Sequence, residues 1–506
     1  MARTLLFRHL RRALARKSSA PAALSRRHML RLAAAVPLAA CAPRFPSRPV
    51  AIVGGGVAGL TIAYRLARAG RAAVVYEASP RWGGRMFTRR DFGAPGMFCE
   101  LGGELVDTNH THLRALAQEL GVGVQRLKTP GQGREYYHVD GVLRTDADML
   151  ASGRGAYGEL AARIHDDQSR LLDSEEAWTA HARALDAQSV ADYLHAARGL
   201  APGWALDVID LAYRGEYGMP TAEQSALNLV DFIGADPGGD FAMFGESDEA
   251  WRIEGGSSKL IDALVRAIRA PVTLRGGHAL EAISERDGHL VLRFAAAGGV
   301  VAAAHDAVVL ALPFTKLRGV EGIESLGLAP EKLRAIRELG YGDNAKVMVA
   351  THSRPWNGDA AGLPERASGE FYSSRFQVAW DTSRGQPGAS GVLTNFLSGA
   401  ADQNAALADL AAGLRAISPA IAESLDLETV ASFFWAQHRF TGGSYAGAKV
   451  GQYTTLLEVA GASELGGRLL FAGEHTSPDF LGFMNGGVES GERVAAALLA
   501  QRAEAA

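Results

Sequence analysis

Cysteine is almost missing: Cys41 and Cys99 are the only two among 506 residues. That excludes a disulfide framework and a cysteine-rich metal site. A basic excess is also lacking. The formal net charge is -3, whereas nucleic-acid binders usually carry a strong positive balance. No run reaches the ~18 apolar residues that suggest a membrane-spanning helix, and no repeated unit divides the chain. Glycine, by contrast, is plentiful, with 59 residues in a composition that is 47% hydrophobic. A chain of this length can hold more than one compact unit, with a large core and many tight turns.

Basic charge is unevenly placed. Residues 1–31 carry Arg3, Arg8, Arg11, Arg12, Arg16, Lys17, Arg26, Arg27 and Arg31 and no acid, and Leu32–Ala40 is then apolar and uncharged. Residues 1–40 therefore read as a targeting segment. The run Ser25-Arg26-Arg27-His28-Met29-Leu30-Arg31 resembles the twin-arginine export signal. Leu38-Ala39-Ala40-Cys41 resembles a bacterial lipoprotein box, which makes Cys41 a lipidation candidate. Ala-x-Ala-type cleavage nearby fits as well, and the bland alternative is a basic tail with a chance arginine pair. An acylated Cys41 would tether the protein, each buried methylene adding about 0.8 kcal/mol of membrane affinity. The expected location is the periplasm or the outer side of the bacterial inner membrane. Cys99 reads as a small buried packing residue.

The strongest local pattern begins after a linker at 41–48. Val50-Ala51-Ile52-Val53 is a strand-like apolar run that breaks into Gly54-x-Gly56-x-x-Gly59, with Val57 and Ala58 opening a helix pattern. A second apolar run, Ala72–Tyr76, ends in Glu77 and Ala78. Gly54 permits the tight turn, Gly56 lets backbone approach a pyrophosphate, and Gly59 lets helix pack on strand. The helix N-terminus presents unpaired N–H groups to phosphates. Glu77 lies 18 positions beyond Gly59, near the ~20 expected of a ribose-binding acid. Near the other end, Leu469–Ala472 repeats the buried-strand pattern and runs into Gly473 and Glu474. Both ends therefore contribute to one dinucleotide site, in a fold that the chain leaves and re-enters.

The expected fold is α/β. A Rossmann-like dinucleotide domain is built from 49–120, 250–325 and 430–506. The inserted α+β substrate domain takes 121–249 and 326–429. Residues 121–248 read as mainly helical. Ala279–Ser284, His289–Phe294 and Ala307–Leu312 read as strands returning to the first domain, and Lys346–Ala350, Glu370–Thr382 and Gly391–Phe396 as a second sheet.

Further motifs make a resemblance specific. Arg81-Trp82-Gly83-Gly84-Arg85, Ala472-Gly473-Glu474-His475-Thr476 and Gly486-Gly487-Val488-Glu489-Ser490-Gly491 are together similar to the flavin-containing amine oxidase family, over roughly 48–506. That family includes monoamine, polyamine and L-amino-acid oxidases. The resemblance implies FAD, with Arg85 facing its pyrophosphate and Glu474 near the ribityl or phosphate region. It adds Gly84, Gly102, Gly103, Glu104, Leu280, Trp435, Gly482, Phe483 and Met484 as cofactor contacts. Ser444 stands where some members carry a flavin-linking cysteine, so FAD is expected to be non-covalent. A protein that folds around FAD before export needs a route for folded cargo, which accords with the twin-arginine reading.

Lys346, within Gly340–Val347, resembles the family lysine that holds a water beside flavin N5; taken alone it reads as a surface lysine opening a strand. Tyr445 and Phe483 match the two walls of the family's aromatic cage, which can align a substrate amine. Taken alone they read as core aromatics. The resemblance implies oxidation of a primary amine by hydride transfer to the flavin, with O2 reduced to hydrogen peroxide. Gly102-Gly103-Glu104-Leu105-Val106 lacks the arginine that clamps a carboxylate in family L-amino-acid oxidases. Arg252, Arg375 or Arg439 could replace it, so an L-amino-acid oxidase, of basic amino acids for example, stays open. So does a non-oxidase dehydrogenase or isomerase of the same fold. His110-Thr111-His112 lacks a third ligand, and no metal is expected. Glu246–Glu249 reads as a solvated loop able to attract a cation, and Glu104 and Asp107 as edges of the cavity. Expected partners are the small substrate and O2, with no nucleic acid, membrane contact only through Cys41, and a homodimer allowed.

Overall fold

A computed structural model describes residues 48–128, 133–150, 157–174, 177–235, 242–400 and 402–501. Cys41, the export signal and most of the linker lie outside the described residues.

Val50–Val53 is buried at all four positions and forms the middle of a five-stranded parallel sheet. Its neighbours in order are Val272–Arg275, Ala73–Tyr76, Val50–Val53, Val308–Leu310 and Leu469–Phe471. Continuous apolar strands are what a parallel sheet covered on both faces requires. Helix Val57–Arg68 connects the first two sequential strands, burying Leu60, Ile62, Ala63 and Leu66. Leu60 is fully buried, and its truncation to alanine would cost about 3 kcal/mol. The C-terminal helix Met484–Ala500 packs on that first helix. A side chain at Gly491 would collide with the Ala58 carbonyl at 2.8 Å, so glycine allows the close approach. Arg65 ties the layer together through Glu119 at 2.7 Å and Glu492 at 2.6 Å.

The strand Val272–Arg275 has no counterpart in the sequence reading. Three other strands follow it as an antiparallel sheet, Ala279–Arg286, His289–Ala296 and Gly299–His305. Asp287 and Gly288, both at positive φ, turn its first hairpin, as a two-residue I′ turn demands.

The second large sheet has seven strands, in the order Leu425–Phe434, Ala345–Thr351, Gly391–Leu397, Gln377–Asp381, Ala367–Ser373, Arg134–Val139 and Val142–Thr145. The last two strands and Val124–Arg126 are exceptions in 121–248, whose described residues otherwise form six helices, from Asp146–Leu150 to Ala226–Val230, as expected of a mainly helical stretch. Boundaries shift too. Val124–Arg126 pairs with Trp251–Ile253, so it sits with the 250–325 segment rather than with 121–249. Leu425–Phe434 pairs with Ala345–Thr351, so the second sheet runs four residues past the expected return at 430.

Register in the second sheet creates a wall. Lys346 lies opposite Phe396, and Trp380 opposite Thr394. Thr394 and Phe396 are two apart on one strand and share a face. All four side chains therefore project from the same side of the sheet.

Candidate active site

A cavity of about 460 Å³ lies between that wall and the carboxyl ends of the parallel strands. Its volume falls in the usual range for cofactor and small-molecule sites, and its place at the strand ends is where open α/β sheets bind ligands.

Gly54 (φ +113°) starts the turn, and a Cβ there would lie 2.4 Å from the Ala311 carbonyl oxygen. At Gly56 a Cβ would meet nothing within 4 Å, and the residue lines the cavity. This open cradle at a helix N-terminus is the donor set a pyrophosphate needs. Gly59 is not among the lining residues. A Cβ there would meet the Gly54 carbonyl oxygen at 2.0 Å, so it acts by packing helix on strand, not by contact with a ligand. Val57, Ala58, Glu77, Ala78, Gly84, Arg85 and Leu280 all line the cavity.

Glu77 accepts hydrogen bonds from Gly55 N at 2.6 Å and Ser79 N at 2.7 Å. Burial raises its pKa against those bonds. Each oxygen keeps a lone pair for a hydroxyl. The loops are tied to one another: Gly83 N donates to Gly55 O at 2.8 Å, and Gly103 N to Arg85 O at 3.0 Å. Trp435 Nε1 donates to Leu101 O at 2.8 Å, fixing the turn that carries Gly102 and Gly103. These residues fit the ADP half of FAD in both shape and donor set.

The two ends of the chain meet directly. Arg85 pairs with Glu474 at 2.7 Å and donates to Ser444 O at 2.8 Å. Glu474 also accepts from Gly482 N at 2.7 Å. The Ser444 hydroxyl donates to Asn344 Oδ1 at 2.6 Å. Gly473, Gly482 and Met484 line the same cavity.

Lys346 is buried, not a surface residue. Its Nζ donates to Gly102 O and to Glu104 Oε2, each at 2.9 Å, and lies 5.1 Å from the Trp380 ring. Glu104 Oε1 accepts from Thr382 Oγ1 at 2.8 Å. Burial opposes charge on Glu104, but the Lys346 ammonium, the Thr382 bond and Arg252 hold the carboxyl below its ordinary range. Tyr445 and Phe483 line the cavity as well. The Tyr445 hydroxyl donates to the Glu216 carbonyl. The Phe483 ring stands edge-on to His110 at 4.9 Å.

Some expectations change. Arg252 is not available as a carboxylate clamp, because its guanidinium donates to Thr382 O and Arg384 O at 2.6 Å each. Arg375 pairs with Asp409 at an exposed position. Arg439 does line the cavity. Asp107 does not, and its backbone N–H instead donates to Nδ1 of buried His110 at 3.0 Å. Burial pushes the His110 pKa down to about 4. Cys99 is fully buried, its thiol pushed up to about 12 by burial and then by Glu104 and Glu100.

Glu249, expected in a solvated loop, lines the cavity and lies 3.3 Å from Lys128. Lys128 and Arg384 both pair with Glu370, at 2.8 and 2.9 Å. Glu216, Glu249, Trp380 and Phe396 are lining residues the sequence reading missed. Trp380 and Phe396 each carried a signal only as part of a predicted strand, and Glu249 only as part of a loop able to attract a cation.

The family described as flavin containing amine oxidoreductase matches residues 57–499. The flavin-dependent L-tryptophan oxidase RebO of Lentzea aerocolonigenes is 28% identical over 484 residues, covering 88% of this chain and 96% of that protein. The nicotine dehydrogenase of Pseudomonas putida is 26% identical, covering 88% and 86%. Among solved structures, a double mutant of putrescine oxidase superimposes with a TM-score of 0.74 at 22% identity, covering 90% of this chain and 99% of that one.

Proposed function

This chain belongs to the flavin-containing amine oxidoreductase family, and from that premise we propose that it oxidises a primary amine to an imine, with O2 as electron acceptor. FAD is the cofactor, and we infer that it is held without a covalent bond, because Ser444 offers a hydroxyl already engaged by Asn344. Bound FAD would supply the acceptor for two electrons and a proton from the amine carbon; with the second proton lost by the amine nitrogen, O2 would take up both electrons and both protons to become hydrogen peroxide. The imine takes up water and releases aldehyde and ammonia.

One observation carries the reading. The glycine cradle from the first strand and Lys346, Tyr445 and Phe483 from three distant segments line a single cavity. Within it Arg85, Glu77 and the glycine turns bind the nucleotide. Tyr445 and Phe483 flank the substrate amine and exclude water. Lys346 keeps one N–H beyond its two protein bonds, able to hold a water beside the reacting carbon. The aromatic faces favour an amine in their slot, and the Glu216 and Glu249 wall favours a cationic substrate.

A second reading, an L-amino-acid oxidase giving a 2-keto acid, is favoured by Arg439 on the cavity wall and by the similarity to an L-tryptophan oxidase. A peroxide assay over a panel of primary amines and L-amino acids separates the two. Peroxide from amines alone supports the first reading, and peroxide from amino acids alone supports the second. Silence across the panel with FAD bound would move the protein to dehydrogenase or isomerase chemistry.

We also infer export with lipidation at Cys41, supported by the order of basic run, apolar run and Leu38–Cys41 box. Mass spectrometry of the mature N-terminus from the native host tests it. A chain beginning well after Cys41 would count against the anchor.

A further inference from the structure

Glu104 and Lys346 lie 242 positions apart, and no local pattern links them. Their side chains are 3% and 7% exposed, so their charges meet with little water between them. In such a place an ion pair is close to neutral as seen from outside, whereas either partner alone projects a full, poorly screened charge. Thr382 holds the other Glu104 oxygen, and its own hydroxyl lies 2.6 Å from that of Thr394. The carboxylate is therefore fixed from behind, and Lys346 is fixed in front by the Gly102 carbonyl. Both Glu104 and Lys346 reach the cavity that the nucleotide-binding turns line.

We propose that Glu104 is a positioning residue for Lys346, cancelling the lysine charge and thereby keeping the reduction potential of bound FAD lower than an unpaired lysine would set it. The inference rests on the amine-oxidase reading of the cavity. Its physical basis is simple. Reduction adds negative charge to the cofactor, and a nearby uncompensated cation favours that change while a neutral pair does not.

The test is the midpoint potential of the FAD-loaded protein, measured without substrate. Glu104→Gln keeps the shape and an acceptor for Thr382 but removes the charge. It is expected to shift the equilibrium about tenfold toward reduced FAD, about 30 mV for a two-electron couple. Lys346→Met, which strands the carboxylate, is expected to shift it the opposite way. The double variant removes both charges together, so no buried charge is orphaned should the single variants fold poorly. Its potential is expected to return close to that of the parent. An unchanged or lowered potential in Glu104→Gln would overturn the inference, as would a double variant that matches Lys346→Met alone. A folded protein that takes up no FAD would overturn the amine-oxidase reading as well, so the two failures are distinguishable.

Discussion

Arg85 and Glu474 are 389 positions apart in the chain, yet they meet at 2.7 Å on the wall of one cavity. This pair closes the nucleotide domain. Arg85 follows a glycine turn near the first strand, while Glu474 follows the last strand of the same sheet. Glu474 also receives Gly482 N, the residue before Phe483. A single carboxylate thus joins the turn that carries Gly84 and Arg85 to the segment that carries Phe483.

Removing that carboxylate should loosen both. Glu474→Ala leaves a mostly buried guanidinium with only the Ser444 carbonyl and no charge partner, and it orphans the Gly482 N–H. The expected loss is about 3 kcal/mol of stability, together with lower FAD occupancy after purification. Urea denaturation and the ratio of flavin to protein absorbance measure the two effects. Unchanged values of both would mean the pair is incidental.

Gly54 and Gly56 should respond differently to the same substitution. Gly54→Ala forces a side chain into the Ala311 carbonyl and a residue with Cβ into φ +113°, so the fold itself should lose stability, by about 2 kcal/mol or more. Gly56→Ala meets no protein atom and should change apo stability by less than about 0.5 kcal/mol. Its methyl group would occupy the cradle, so FAD affinity should fall at least about tenfold. FAD titration followed by flavin fluorescence decides the point, and parent-like affinity in Gly56→Ala would remove the pyrophosphate from this turn.

What could be read from the sequence follows how local each signal is. Val50–Val53, the glycine turn and Glu77 form a continuous stretch whose chemistry is written in residue type and spacing. Lys346 is legible as a site residue only by resemblance, since a lysine opening a strand carries no mark of burial. Its partner Glu104 is a tertiary fact. Glu249 is misread because its neighbours Glu246 and Asp248 are exposed and polar, and only the fold turns one acid of the run inward. Arg252 is misread for the opposite reason. An arginine in sequence suggests an anion partner, and here two backbone carbonyls take that place. The strand Val272–Arg275 escapes notice because it is four residues long and half exposed, being an edge of its sheet.

Arg439 separates the two substrate readings. A charge-assisted bond to a substrate carboxylate is worth about 1.5–3 kcal/mol. In Arg439→Gln, KM for an L-amino acid should rise about tenfold or more, while KM for a primary amine stays within about twofold. Steady-state peroxide kinetics on both substrate types give the comparison. A uniform rise for both would place Arg439 in cofactor binding, not in carboxylate recognition.

Lys332 supplies a pH prediction away from the cavity. It is fully buried, its Nζ donating to Ala460 O at 2.7 Å and lying 4.0 Å over the Phe471 ring. Burial pushes its pKa down to about 7, with Glu464 opposing that shift and Arg493 adding to it. A base whose folded pKa is depressed binds fewer protons folded than unfolded between about pH 7 and its ordinary 10.5. Stability from this group therefore rises with pH across that window, and the full penalty is present below it. Lys332→Met removes the penalty, so it should stabilise the protein by about 2 kcal/mol at pH 6.5. The gain should shrink by pH 9.5, where the parent lysine is already largely neutral when folded. Urea midpoints of parent and variant at the two pH values test the sign. A gain that grows with pH, or a variant less stable at pH 6.5, would show that the carbonyl and the ring hold the ammonium more tightly than burial disfavours it.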